Sequence, residues 1–270
     1  MTTTFPIFQV DAFTDTPFSG NPAAVCLLER EQDDRWLQNV AAEMNLSETA
    51  YLLPTEDGMQ LRWFTPAMEV DLCGHATLSA AHILWEEQLI SPDEDIRFHT
   101  ESGLLTASRK NDLIELDFPN AAPGDCPPCP ELAEALGVAV QHLCRNKYDY
   151  LVEVDGANTL RTMQPDFMKL AAVDIRGVIV TCRSESPEFD FLSRYFAPHA
   201  GINEDPVTGS AHCCSGPYWQ DKLGKNEMIA FQTSKRGGVV HVRVESERVY
   251  LGGKAVTTLR GGLVNVGAVN

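Results

Sequence analysis

Four polar side chains stand where proton transfer or anion binding would need them: Glu48, His75, Asp205 and Ser210. Glu48 lies between a helix-like segment and the apolar run Ala50 to Leu53. A carboxylate forced into apolar surroundings has a raised pKa and can exchange protons near neutrality. His75 and Ser210 each follow a glycine, in Gly74-His75-Ala76 and Gly209-Ser210-Ala211, and Asp205 precedes the second glycine in Glu204-Asp205-Pro206. A glycine that turns an extended segment into a helix leaves the first backbone N–H groups unpaired, and these attract an anion. Two such helix starts facing each other would hold a carboxylate or phosphate. Each residue also has a plain structural reading: Glu48 as a polar loop residue, His75 as a cap or core histidine, Asp205 as a turn brace and Ser210 as a common first-turn residue. The matched placement of His75 and Ser210 points instead to a cleft between two halves.

The elements that must position these residues repeat. Phe64 to Trp85 and Phe196 to Trp219 each run from Phe-x-Pro through an acidic loop into the glycine, then into Ala, Ser, Thr and Cys, ending near a Trp. Helices with so few charges have no obvious solvent face and read as buried central helices wrapped by sheet. Around the first, Phe8–Phe13, Ala23–Leu28, the run stopped by Pro54, Leu61–Phe64, Ile96–Thr100, Leu104–Ser108 and Leu113–Phe118 read as strands. Asp34–Met44 has apolar residues at helical spacing and should end near Asn45. Gly20-Asn21-Pro22 reads as a tight turn in preference to a substrate-contacting loop. Residues 119–130, rich in Pro and Gly, form the linker candidate, giving domains 1–120 and 121–270. Within the linker, Cys126-Pro-Pro-Cys129 lacks a second Cys-x-x-Cys and a following helix start, so it reads as a structural accident rather than a metal or redox motif.

In the second half, Glu131–Leu136 and Asp166–Ala171 are expected helices, and Tyr150–Val154, Val178–Cys182, Phe189–Phe196, Met228–Phe231, Val239–Val244 and Val249–Gly252 expected strands. Gly216-Pro217 should kink or end the second central helix. Ala255–Val266 closes the chain as an apolar segment that can pair back to the first half. The fold class is therefore α+β, with two pseudo-symmetric domains, each a mostly antiparallel curved sheet around a central helix.

Composition narrows the partners. The 270 residues carry 38 acidic and 21 basic side chains, a net charge of −17, which repels nucleic acid and anionic membranes. Backbone N–H groups can still bind a small anion locally. No signal-like or membrane-spanning apolar run is present, and the eight cysteines read as reduced thiols, so a cytoplasmic protein with a small-molecule substrate is expected.

The segments SGNPAAV (19–25), NLSETAYLL (45–53), RWFTPAMEVDLCGHAT (62–77) and GINEDPVTGSAH (201–212) resemble the PhzF family of phenazine-biosynthesis isomerase-like proteins. The resemblance spans nearly the whole chain. It implies a diaminopimelate-epimerase-like fold with the active site between the two domains, catalysis without cofactor or metal, and a homodimer. It matches Glu48 to the family's acid/base glutamate and His75, Asp205 and Ser210 to its supporting polar residues. Gly74 and Gly209, with the N–H groups following them through Ala76 and Ala211, match the helix starts that hold substrate; Asn21 and Tyr218 are further candidates for the substrate pocket. The implied reaction is a proton shift within a small carboxylate- or amine-bearing metabolite. Two alternatives remain open at this point. One is an epimerase using Glu48 and Cys73, although related epimerases place cysteines before both glycines and Thr208 holds the second place here. The other is a binding protein without catalysis.

Overall fold

The computed structural model describes residues 4–264. In chain order its elements are β1 (Phe5–Ala12), β2 (Asn21–Leu27), α1 (Asp34–Met44), β3 (Glu48–Thr55), β4 (Gly58–Phe64), β5 (Glu69–Val70), α2 (Gly74–Glu86), β6 (Ile96–Thr100), β7 (Gly103–Lys110) and β8 (Leu113–Pro119). There follow β9 (Gly124–Asp125), α3 (Pro130–Leu136), β10 (His142–Arg145), β11 (Asp149–Glu153), α4 (Ala157–Thr162), α5 (Phe167–Ala171), β12 (Gly177–Arg183) and β13 (Phe191–Ala197). After a short 3-10 turn come β14 (Ile202–Asp205), α6 (Gly209–Leu223), β15 (Glu227–Gln232), β16 (Gly238–Glu245), β17 (Arg248–Gly253) and β18 (Ala255–Leu263). Two compact units result, one formed by the chain up to Asp117 with the segment from Gly252 onward, the other by Phe118–Leu251. The expected last apolar segment is observed to Leu263; its residues 265 and 266 lie outside the described part.

In the first unit β2 runs parallel to β3, and β4 parallel to β6, while β3–β4, β4–β5, β6–β7 and β7–β8 are antiparallel. A parallel neighbour needs a crossover, and α1 and α2 supply the two. β1 pairs antiparallel with both β2 and β18, so the C-terminal strand returns to this unit. Helix α1 begins where the Asp33 carboxylate accepts the Trp36 amide at 2.9 Å and ends where Asn45 turns left-handed, its N–H reaching the Ala41 carbonyl at 3.1 Å. It buries Trp36, Leu37, Val40 and Ala41 in a cluster with Phe5, Tyr51 and Phe64. Helix α2 packs on β1, β2, β3 and β18, and from His75 to Trp85 every residue but His82 is buried. Its buried hydroxyls are satisfied one turn back, Thr77 at the Cys73 carbonyl (2.6 Å) and Ser79 at the His75 carbonyl (2.9 Å).

The second unit repeats the pattern. β11 is parallel to β12, with α4 and α5 between them, and β13 is parallel to β15, with α6 between. β12–β13, β13–β14 and β15–β16 are antiparallel. The register matches as well as the order: Phe64 pairs with Thr49, and Phe196 with Val178. The Phe-x-Pro turns that begin each echo therefore sit at corresponding points of the two sheets. Leu132, Leu136, Val152, Leu160, Val180 and Phe196 are among the residues of this unit's core.

Two expectations are corrected. Pro217 lies inside α6, which continues to Leu223 rather than ending at Gly216-Pro217. A proline in mid-helix removes a donor and orphans the carbonyl four residues before it. Here that carbonyl, of Cys213, accepts the amide of Ala121 at 3.2 Å, so the lost bond is replaced from the linker. Cys126 and Cys129 are half-buried, and all eight cysteines are free of disulfides. Contrary to the sequence reading, a helix does follow the motif directly, with Cys129 the residue before Pro130 at the start of α3. No helix among the described residues is long and apolar enough to cross a membrane.

Candidate active site

Glu48 is the first residue of β3, not a loop residue, and faces the imidazole of His75, the second residue of α2. Its Oε2 lies 3.2 Å from His75 Nε2, with the side chains 14% and 6% exposed. The two atoms are close but out of line for a hydrogen bond, and neither has another hydrogen-bond partner among the described residues. Such pairs are costly in a folded core, and an interior that tolerates one is kept for a reason.

The other edge of the imidazole is held. Asn21 Nδ2 lies 3.2 Å from His75 Nδ1, and Ser47 Oγ donates to Asn21 Oδ1 at 3.4 Å. Asn21 opens β2 directly after Gly20, whose φ of +64° and lack of a Cβ are both required, because a Cβ would lie 2.1 Å from the Ala12 carbonyl oxygen. The sequence reading of Gly20-Asn21-Pro22 as a tight turn holds only for Gly20; Asn21 and Pro22 already belong to β2, and the pairing of that strand brings Asn21, fully buried, to His75. With Asn21 donating to Nδ1, the neutral imidazole carries its proton on Nε2, toward Glu48. With the Asn21 amide turned over, its oxygen accepts from Nδ1–H and the imidazolium is served equally. In both states Nε2 carries a proton, 3.2 Å from Glu48 Oε2.

Burial alone would lower the pKa of His75, but the adjoining Cys73 and Glu48 outweigh it and hold the imidazole well above its ordinary value. Cys73, whose Sγ is 3.5 Å from Nδ1, is itself pushed up by burial and then by the Glu48 charge. It is therefore a thiol at neutral pH, and of the two neighbours it is Glu48 whose charge favours the protonated His75. Glu48, Cys73 and His75 offer donor atoms within 4.8 Å of one another. Glu48 and Cys73, however, approach opposite nitrogens of one ring, and a metal ion binds only one nitrogen of an imidazole. The three therefore form a row along one imidazole rather than a coordination shell.

In the second unit, Asp205 ends β14 and is buried. Its carboxylate accepts the Thr208 hydroxyl, and its backbone carbonyl accepts Gln232 Nε2 at 2.7 Å. Gln232 Oε1 takes the Thr208 amide at 2.9 Å, so the loop leading into α6 is tied down at both ends. Ser210 is the second residue of α6, as His75 is of α2. Its Oγ accepts from Arg176 Nη2 at 3.3 Å, and the same guanidinium is clamped on the Asp149 carboxylate through Nε at 3.0 Å and Nη2 at 2.5 Å. The structure thus groups Glu48, His75 and Asn21 in one unit and Asp205, Ser210 and the Gly209 helix start in the other. Gly74, Ala76, Gly209 and Ala211 lie in the first turns of α2 and α6, whose opening amides have no intrahelical acceptor. Tyr218 is well down α6, its hydroxyl donating to Glu153 at 2.6 Å.

The model of a family described as phenazine biosynthesis-like protein, PhzC-PhzF, matches residues 10–261. The chain belongs to the PhzC-PhzF family. An uncharacterized isomerase of Halalkalibacterium halodurans is 56% identical over 262 residues, covering 97% of this chain and 99% of that protein. The crystal structure of a PhzF family phenazine biosynthesis protein from Enterococcus faecalis matches with a TM-score of 0.93 at 40% identity, over 97% of this chain and 99% of the other. A hydroxyproline epimerase from Agrobacterium vitis shares the fold alone, with a TM-score of 0.62 at 13% identity over 98% of this chain and 93% of the other. The α+β, epimerase-like fold expected from the sequence is the fold of this PhzC-PhzF protein.

Several polar residues around the expected ones escaped the sequence reading. Ser47, beside Glu48, reads as a loop residue, and Asp149, Arg176 and Gln232 have no motif beside them that singles them out. Only Thr208 and Cys73, each one residue before a helix-start glycine, carry a local signal.

Proposed function

We propose that this PhzC-PhzF protein is a cofactor-independent isomerase in which Glu48 removes a proton from one carbon of a small substrate and returns it to another. The substrate is a carboxylate- or amine-bearing metabolite whose acidic carbon adjoins an unsaturated group. The observation that carries this reading is the pair of half-buried Glu48 and buried His75, 3.2 Å apart and without a completed hydrogen bond at Glu48 Oε2 or His75 Nε2. A carboxylate held next to an N–H donor, with an oxygen left over, is equipped to take up a substrate proton while the donor steadies its charge. His75, Asp205 and Ser210 hold the substrate's polar groups, and the opening amides of α2 and α6 receive its carboxylate.

The epimerase alternative needs a second base opposite Glu48. Cys73 is poorly suited, since burial keeps its thiol protonated at neutral pH. The test is incubation in D2O with a panel of β,γ-unsaturated acids, cyclic dienoic amino acids and α-amino acids, followed by NMR. Deuterium entry accompanied by a positional isomer supports the proposal. Deuterium entry with racemisation and no isomer supports the epimerase instead, and no exchange across the panel favours a binding protein.

A further inference from the structure

We propose that Asp149, Arg176 and Tyr195 form a positioning network for the Ser210 hydroxyl, built around the point of the second unit that corresponds to Glu48 in the first. The inference rests on the assignment of Ser210 to the substrate site made above.

The correspondence follows from strand register. Phe64 of β4 pairs with Thr49 of β3, and Phe196 of β13 pairs with Val178 of β12. The preceding residues, Glu48 and Gly177, are the first of their strands, and each pairs with the neighbouring parallel strand, at Ala23 and Asp149 respectively. Where the first unit carries a carboxylate, the second carries no side chain at all. The vacated space is filled: a Cβ on Gly177 would lie 2.2 Å from the Tyr195 hydroxyl oxygen.

That hydroxyl donates to Asp149 Oδ1 at 2.9 Å. Asp149 is fully buried, and its backbone is fixed by Asn146, whose Oδ1 accepts the amides of Tyr148 and Asp149, each at 2.8 Å. A carboxylate so placed requires a cation, and Arg176 meets it with two parallel N–H bonds while lying 5.0 Å from the centre of the Tyr148 ring. The guanidinium is thereby set in one orientation although its side chain is 43% exposed. Its Nη2 reaches Ser210 Oγ at 3.3 Å. A hydroxyl that accepts from a guanidinium directs its own proton elsewhere, so Ser210 is left as an oriented donor. The two halves are consequently specialised: one moves the proton, the other holds an oriented hydroxyl and has no carboxylate at the matching place.

The experiment has two arms on Arg176→Met, Arg176→Lys and the parent. In the first, [13Cβ]serine NMR, with Ser210→Ala to assign the signal, reads the Ser210 side-chain rotamer without any substrate. The parent should show one rotamer, Arg176→Met an average over several, and Arg176→Lys a return toward one. In the second, kcat and KM are measured on an acid from the D2O panel that the parent isomerises. Loss of a charge-assisted positioning bond should lower kcat about ten- to hundredfold in Arg176→Met with KM changed less than about threefold. A single Ser210 rotamer in Arg176→Met overturns the network, as does a freed rotamer with unchanged kcat. If the parent exchanges no acid of the panel, the isomerase reading fails while the serine signal still decides the positioning. Should Arg176→Met not fold, Tyr195→Phe removes one hydroxyl from the same network and is held to the same two outcomes.

Discussion

His212 and His75 are both buried near helix starts, yet the structure drives them in opposite directions, and this can be measured as stability. His212 Nδ1 is 2.8 Å from the Thr208 carbonyl, and Nε2 is 3.5 Å from Ser193 Oγ. Both partners are neutral. Burial lowers its pKa from 6.5 to about 4, opposed only by the Thr208 carbonyl, which favours the charged ring. As pH falls below 6.5 the unfolded chain takes up a proton that the native chain refuses until about pH 4. Stability from this group is therefore complete above pH 6.5 and is lost as pH falls through that window. The shift corresponds to roughly 3 kcal/mol in full, and to about 2 to 3 kcal/mol at pH 4.5. Urea unfolding at pH 7.5 and pH 4.5 measures the loss in the parent and in His212→Asn, whose amide can still donate to the Thr208 carbonyl. The other groups titrate alike in both proteins, so the parent should lose about 2 to 3 kcal/mol more than the variant between the two pH values. An equal loss in the two proteins would refute the claim that neutral surroundings hold His212 uncharged.

Two further outcomes test the supports of the site. Arg194 is half-buried in a two-pronged bond with Glu204 (2.7 and 3.0 Å) and also donates to the carbonyls of Leu160 and Met163, both at 3.1 Å, so Glu204→Gln should leave a cation under-compensated. A loss of about 1.5 to 3 kcal/mol is expected in urea unfolding, and a change below about 0.5 kcal/mol would contradict it. Cys73, buried and with its pKa raised by burial, should resist iodoacetamide at pH 7.5 in the folded protein and react on unfolding; peptide mass spectrometry distinguishes the two.

Much of the fold was legible because its signals are local. The span Asp34–Met44, ended by Asn45, was readable from spacing and cap chemistry alone, and the repeated Phe-x-Pro-to-glycine stretches announced two similar units each with a buried helix. The continuation of α6 through Pro217 was not readable, since the carbonyl freed at Cys213 is satisfied from Ala121, far away in sequence. The site divides in the same way. Glu48, His75, Asp205 and Ser210 stand beside turns, glycines and prolines that mark them. Arg176 meets Asp149 across 27 residues and Ser210 across 34, and the vacancy at Gly177 has meaning only beside Tyr195, a neighbour in space. Nor does spacing show that Glu48 faces an imidazole rather than a purely apolar wall.

The central claim is that Glu48 carries the proton, and comparison of the parent with Glu48→Gln tests it most directly. Both proteins are incubated in D2O with an acid that the parent isomerises, and NMR follows deuterium entry and isomer formation together. Glutamine keeps the shape beside His75 but cannot take up a proton, so both rates should fall by about a hundredfold or more. Isomerisation and exchange by Glu48→Gln at the parental rate would contradict the account.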